Sequence, residues 1–197
     1  FDTIYHEHYS YLSLTSLEFL LKSNGFKIFD CEKISTHGGS LRVYFTHLEN
    51  KKIKINRRVY RIKSNESILG IKKQNYYKQF ERKVKKIKLE SLSYIKNLNN
   101  KIIAFNASAK GITFLNYLKL NNKYVSYVVD KNPNKEGLFI PGTDIKIIHT
   151  SKIQNIKNKK ALILSWNIKD EILEENKLLI KNNVNFFICI PKLKLIN

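Results

Sequence analysis

The chain has 197 residues, 43% of them hydrophobic, and a formal net charge of +20. This hydrophobic share excludes a wholly disordered chain, and the length suits one or two domains. No apolar run approaches the roughly 18 residues of a membrane-spanning helix, and no signal-peptide pattern is present, so a cytoplasmic protein is expected. Cys31 and Cys189 lie far apart without CxxC spacing, which predicts neither a disulfide framework nor a zinc site.

The first eleven residues concentrate side chains that suit proton transfer. Two histidines, one carboxylate and three tyrosines fall between Tyr5 and Tyr11. A histidine can hold or release a proton near neutrality, an acid can orient it, and phenols can hydrogen-bond an oxyanion. No metal site is predicted, because the spacing is not HExxH and a third ligand is lacking.

A helix, a strand, a loop and a second strand are predicted next. Thr15 or Ser16 can cap the helix, and Asn24-Gly25 can end it; its buried face would comprise Leu17, Leu20 and Leu21. Alternation over 26–34 and 41–47 predicts the two strands.

A polar loop joins these two strands, and it contains His37, Gly38, Gly39 and Ser40, with Arg42 two positions later. Two glycines allow a ligand to lie against the backbone. Hairpin turns also use glycine routinely, so the loop is either a ligand contact or a plain turn.

One long amphipathic helix is predicted over 68–98. Its apolar seam recurs at alternating steps of four and three: Phe80, Val84, Ile87, Ser91, Tyr94 and Leu98. We interpret it as a linker helix that packs one face on a neighbouring domain.

The pattern after residue 100 alternates strands and helices. Strands are predicted over 102–105, 124–129, 145–148, 161–164 and 186–190, with helices up to about 120 and over 170–182. This order predicts a doubly wound, Rossmann-like α/β domain with a largely parallel sheet.

Ligands of such sheets bind at the carboxyl ends of the strands, where the loop 106–111 lies. Its small residues allow close backbone approach, Ser108 can donate a hydrogen bond, and Lys110 adds a cation. It is not a GxGxxG fingerprint, so dinucleotide binding is not predicted. The loop is therefore a phosphate or sugar site, or a structural turn; Asp130 after the next strand either binds a hydroxyl or caps its own turn.

The positive charge permits a polyanion-binding protein as an alternative function. However, lysines are spread over almost every segment, interleaved with Ile and Asn, and the concentrated stretch 78–88 has the pattern of a solvated helix face. Nucleic acid is therefore not the expected partner.

Several of these segments occur together in one known family. They are the opening 1–11, then 36–42, 106–111, 130–137, 141–143 and Trp166-Asn167. In this order they resemble the S-adenosylmethionine-dependent sugar C-methyltransferases, and the likeness covers essentially the whole chain.

The resemblance implies a domain assignment. Residues 1–62 would be the end of an incomplete methyltransferase domain, 63–99 a linker helix, and 100–197 the C-terminal Rossmann-like domain. The glycine-rich S-adenosylmethionine loop and a structural zinc domain would lie upstream; the chain contains no Met, which agrees with this. This chain by itself is then expected to be inactive.

The resemblance also implies a reaction and its residues. A base removes a proton beside the ketone of a nucleotide-linked deoxysugar, and the enolate carbon takes the methyl group. His8 would be the base, Tyr5 would hydrogen-bond the enolate, and Glu7 would orient the pair; Tyr5 as base with His8 as relay stays open. Contacts with the nucleotide-diphosphate sugar would come from His37, Gly39, Ser40, Arg42, Ser108 and Lys110. A non-catalytic nucleotide-sugar-binding module is the alternative, and the oligomeric state is left open.

Overall fold

The computed structural model describes residue 4 and residues 8–36, 39–153, 155–157 and 159–197. The chain divides into two compact units. We call His6–Arg82 the hairpin unit, and Lys83–Asn197, with Ile4 from the start of the chain, the sheet unit. Each unit is described by itself below.

The hairpin unit begins with helix α1, Leu14–Ser23. Its N-cap is Ser13 rather than the predicted Thr15 or Ser16, because Ser13 and Ser16 form a reciprocal capping box. Leu14 is fully buried, whereas Leu20 is 49% exposed, so the buried face is turned slightly from the predicted one.

Two antiparallel strands follow, β1 over Phe26–Ile34 and β2 over Ser40–His47. Their bounds agree with the prediction to within one residue. Their register pairs Phe26 with His47 and Ile34 with Ser40. The small core under the hairpin is Leu14, Ile28, Cys31 and Val59.

The long helix predicted over 68–98, within the linker range 63–99, is wrong in extent. The structure has two helices, α2 over Arg57–Leu69 and α3 over Gln74–Lys96. Gly70 ends α2 in the left-handed conformation at φ 72°, which glycine adopts without strain. The sequence of α2 has no continuous apolar seam that would have predicted the helix, and Val59 is its one buried residue. The predicted seam holds in part: Ser91 is buried and Ile87, Tyr94 and Leu98 pack on the sheet-unit core, whereas Phe80 is 54% exposed.

The sheet unit is built on a six-stranded sheet in the order β5-β4-β3-β6-β7-β8. Its strands are β3 Ile102–Phe105, β4 Val125–Asp130, β5 Ile147–His149, β6 Lys160–Ile163, β7 Asn185–Ile188 and β8 Lys194–Leu195. β3 to β7 run parallel, and β8 pairs antiparallel with β7. Every residue of β3 is buried, as in a strand covered on both faces. The predicted α/β class with a mostly parallel sheet is confirmed; β8 was not predicted.

Besides α3, three helices accompany this sheet: α4 over Ala109–Leu118, α5 over Lys169–Glu175 and α6 over Lys177–Lys181. Helix α4 buries Gly111, Phe114, Leu115 and Leu118. A Cβ at Gly111 would lie 2.7 Å from Leu164 Cβ. The absent side chain therefore lets the first turn of α4 pack directly on the segment that follows β6.

Candidate functional site

The sheet reverses its direction of growth between β3 and β6. From β3 the chain proceeds outward to β4 and β5, and it then returns to place β6 on the other side of β3. The loops that leave the carboxyl ends of these two strands diverge at such a point, and open α/β sheets bind ligands there. In this chain the two loops are 106–108 and 164–165, which precede α4 and a 3-10 helix over Trp166–Ile168.

Ser108 stands at the end of the first loop as the N-cap of α4. Its Oγ accepts a hydrogen bond of 3.3 Å from the Gly111 amide and one of 3.1 Å from the Ser165 hydroxyl. Ser108 thus joins the two diverging loops. Other amides in this first turn retain the partial positive charge that attracts anions.

Lys110 lies in the same helical turn and extends toward the second loop. Its Nζ donates to Asn167 Oδ1 at 2.8 Å and lies 5.3 Å from the centre of the Trp166 ring. The indole and the amide hold the ammonium beside the helix N-terminus. One ammonium and one helix N-terminus therefore lie together where the two loops diverge.

Asp130 ends β4, the neighbour of β3, and is 9% exposed. Its Oδ2 accepts from the Ala107 amide at 2.8 Å and from Lys135 Nζ at 3.0 Å, and its Oδ1 accepts from the Asn132 amide at 2.9 Å. Of the two interpretations of this carboxylate, the structure shows the turn cap, and in addition a bond to the loop after β3.

An open cleft with a cavity volume of about 110 Å³ lies beside Asp130 at the same edge of the sheet. It is lined by Asn106, Asp130, Lys131, Ile168, Glu171, Ile172 and Glu175. Lys131 is already paired with Glu175. Carboxylates would repel a phosphate here but accept hydrogen bonds from hydroxyl groups. The edge thus has a basic part at Lys110 and an acidic cleft at Asp130.

The loop between β1 and β2, together with the start of β2, contains other residues that were predicted to contact the substrate. Gly39 has φ 121°, and the Ser40 hydroxyl donates to the Thr36 carbonyl at 3.1 Å. Arg42 pairs with Glu32 across the two strands at 3.1 Å, and the Tyr44 hydroxyl donates to the same Glu32 oxygen at 2.6 Å. These two partners, the phenol first, hold the pKa of Glu32 below its ordinary value. Arg42 is thus part of a cross-strand network.

The opening cluster is described only in part. Tyr5, Glu7 and His37 lie outside the described residues, and His8 is exposed. Within the sheet unit, the Thr113 hydroxyl of α4 donates to the Ile4 carbonyl at 2.9 Å. The residue that precedes Tyr5 is therefore held one helical turn beyond Lys110.

Three further findings concern metal binding, membrane crossing and the buried thiol in the described part of the chain. No three of its His, Cys, Asp or Glu side chains are grouped so that they could hold a metal ion. None of its helices is both long and apolar enough to cross a membrane. Burial raises the pKa of the Cys189 thiol to about 11, so this cysteine is a poor nucleophile at neutral pH.

Comparison with known proteins decides the family. Residues 35–191 match the model of the C-methyltransferase C-terminal domain. The chain belongs to this C-methyltransferase family. All of it also aligns with the C-methyltransferase NovU of Streptomyces niveus, at 28% identity over 200 residues that make up 47% of that protein. The chain thus spans about half the length of this relative.

The C-methyltransferase domain brings together some predicted site residues and adds others. Ser108 and Lys110 share one turn at the carboxyl end of β3, where the sequence placed their loop; their contact with substrate stays a prediction. Ser165 and Asn167, their hydrogen-bond partners, were not predicted as site residues. A signal was present, because Trp166-Asn167 comes just after the loop 164–165 that follows the buried strand β6, but a two-residue motif cannot indicate which other loop it faces.

Proposed function

We propose that this chain is the C-terminal part of a C-methyltransferase that methylates a carbon beside the ketone of a nucleotide-linked deoxysugar. The observation that carries the proposal is the placement of Ser108 and Lys110 where the loops after β3 and β6 diverge, in a chain of the C-methyltransferase family. A diphosphate is the part of such a substrate that this arrangement suits.

The first turn of α4 would hold the diphosphate. Helix N-terminal amides and a neighbouring ammonium form the usual protein site for phosphate oxygens. Lys110 is oriented by Asn167 and Trp166, so its charge needs little reorganisation when an anion arrives. The hydroxyls of the nucleoside or the sugar would then lie toward the acidic cleft at Asp130.

The opening cluster would carry the chemistry. His8 would take the proton from the carbon next to the ketone, which breaks the C–H bond and leaves the electron pair as an enolate. Tyr5 would donate a hydrogen bond to the enolate oxygen, and Glu7 would orient His8. Methyltransferases generally draw the methyl group from S-adenosylmethionine, which supplies it as an electrophile. We propose that the S-adenosylmethionine-binding loop, and any structural zinc site, belong to other parts of a longer protein.

The hairpin unit has the features of one part of a larger domain. Among the described residues β2 pairs with β1 only. Val43 packs on the core, whereas Leu41, Tyr44 and Phe45 are 36%, 37% and 50% exposed. Leu41, Val43 and Phe45 alternate with polar residues, so β2 is apolar on the face that carries the core. The exposed part of this apolar face and the open edge suit a strand that further elements of a larger domain would cover. We propose that residues 1–62 complete a methyltransferase domain.

Binding of nucleoside diphosphates to the 197-residue chain tests the site. We expect uridine or thymidine diphosphate to bind, and Lys110→Met to weaken binding by about ten- to a hundredfold, since a charge-assisted hydrogen bond contributes about 1.5–3 kcal/mol. Titration calorimetry measures this. Lys177→Met is the matched control, because Lys177 is an exposed lysine paired with Glu174 on a different helix. Equal losses in the two variants, or no binding to the unmodified chain, would contradict the proposal.

Proton exchange tests the chemistry in a protein that has the full length of the relative. Solvent deuterium should enter the ketosugar at the carbon beside the ketone, and His8→Asn should reduce its rate by about 10²–10⁴, the usual contribution of a general base. Mass spectrometry follows the label. Undiminished exchange in His8→Asn removes His8 from the role of base. Substrate binding without any exchange in the unmodified protein would favour a non-catalytic nucleotide-sugar-binding module.

A further inference from the structure

The peptide groups around Ala107 are held by side chains rather than by the sheet. Ala107 is 7% exposed and lies between β3 and the N-cap of α4. Its N–H donates to Asp130 Oδ2 at 2.8 Å, and its carbonyl accepts from Lys135 Nζ at 3.0 Å. Buried backbone groups need partners, and here one carboxylate and one ammonium supply both.

Asp130 also organises the turn that brings Lys135 to this place. Its Oδ1 accepts from the Asn132 amide at 2.9 Å, and Asn132 Oδ1 accepts from the Asn134 amide at 3.0 Å. These bonds begin a 3-10 helix over Pro133–Lys135, whose last residue is the lysine. Lys135 then returns to Asp130 Oδ2 at 3.0 Å and closes the network.

We infer that Asp130 and Lys135 are positioning residues for the substrate site, acting through the loop 106–108. This rests on the proposed function. The backbone of this loop is restricted at two places. Asn106 has the left-handed φ of 68°, and the Ser108 amide donates to the Asn106 carbonyl at 2.8 Å. With Ala107 fixed on both sides, Ser108 is set against Ser165, and the first turn of α4 with Lys110 is set against Asn167.

A direct substrate contact by Asp130 is the competing role. Its Oδ2 already accepts two hydrogen bonds and its Oδ1 one, all from protein groups. A carboxylate offers about four acceptor positions, so at most one is left for a ligand hydroxyl. The Lys135 ammonium has three N–H donors and uses two of them, on Asp130 and the Ala107 carbonyl, so at most one is left for a phosphate. Both side chains thus serve the loop.

Two measurements on the 197-residue chain separate these roles. Amide hydrogen exchange at Ala107 and Ser108 reports on the loop without any ligand, and calorimetry with uridine and thymidine diphosphates reports on binding. We expect Lys135→Met and Asp130→Asn each to speed exchange at these amides and to weaken probe binding by about tenfold. The double variant should show little further change, because the two residues act as one network. Lys177→Met should change neither quantity, and Lys110→Met should weaken binding without faster exchange at Ala107.

Each other outcome has a defined meaning. Unchanged exchange at Ala107 and Ser108 in both variants overturns the inference, and so does weaker binding with unchanged exchange, which would make Asp130 a direct contact. Additive effects in the double variant overturn the idea of a joint network. Should the unmodified chain bind neither probe while the variants still exchange faster, the proposed nucleotide substrate fails, whereas the role of the pair in shaping the loop stands. Circular dichroism of each variant verifies that it is folded.

Discussion

Asp30 joins the first strand of the hairpin unit to helix α2. Its Oδ1 accepts from Arg58 Nε at 2.9 Å and from the Cys31 amide at 2.8 Å, and Arg58 Nη2 donates to Oδ2. The guanidinium is therefore bound in a fork, the geometry in which arginine recognises carboxylates. The hydrogen bonds from Arg58, more than any other contact, hold the pKa of Asp30 below the ordinary value of 3.8.

This lowered pKa predicts how the hairpin unit responds to acid. A carboxyl whose pKa is lower in the folded state stabilises the fold above its unfolded pKa, and it loses this contribution as the pH falls through the folded pKa. We expect Asp30→Asn to lower the urea concentration at the midpoint of unfolding at pH 6. The difference from the unmodified chain should shrink once the pH drops below about 3.8.

Urea unfolding between pH 2 and pH 6, followed by circular dichroism, measures this difference. Glu49→Gln is the control, since Glu49 is an exposed carboxylate in the same unit. A difference between Asp30→Asn and the unmodified chain that is constant with pH would contradict the ion pair as its cause.

The first turn of helix α1 donates hydrogen bonds to a carboxylate that is distant in the sequence. Glu66 of α2 accepts from the Leu14 amide at 2.7 Å, the Thr15 amide at 2.8 Å and the Thr15 hydroxyl at 2.5 Å. The first amides of a helix have no partner inside it, and a negative charge there also favours the helix dipole. The segment that follows the opening cluster is therefore anchored by α2.

Elements with a strong local pattern were predictable. β1, β2 and β3 were predicted to within one residue, because their apolar runs are bounded by Gly, Asn or a polar loop. The end of α1 was marked by Asn24-Gly25 in the same way. The position of Ser108 and Lys110 after β3 was predictable because a small-residue loop follows a buried strand, whereas their contact with substrate stays a prediction.

Features that depend on distant partners were not predictable. Helix α2 buries only Val59 and is held by Asp30, Glu18 and the α1 terminus, none of which its own sequence reveals. Strand β8 has two exposed residues and exists through its pairing with β7. Likewise Lys135 reaches the loop after β3 across 28 positions of sequence, so this contact emerges only from the fold.

The excess of positive charge is spread over both units rather than gathered at the site. Many carboxylates pair with a lysine or arginine, as Glu18 does with Lys63 and Glu136 with Lys152. Such a distribution raises the general attraction for anions. Under the proposed function, the local arrangement of Lys110, Asn167 and Trp166, and not the net charge, would select a small anionic ligand over a polyanion.

At the scale of the whole molecule, the open edge of β2 leads to a prediction about a protein of the relative's full length. If further strands of a methyltransferase domain pair with this edge, the alternate β2 amides that do not bond to β1 gain partners. We expect these amides to exchange hydrogen at least about tenfold more slowly in a protein of the relative's full length than in this chain, because paired backbone amides open only with local unfolding. Ile102–Phe105 of β3, already central in its sheet, should be unchanged and serve as the internal control. Equal exchange along β2 in the two proteins would show that the edge stays unpaired, and it would remove residues 1–62 from the proposed methyltransferase sheet.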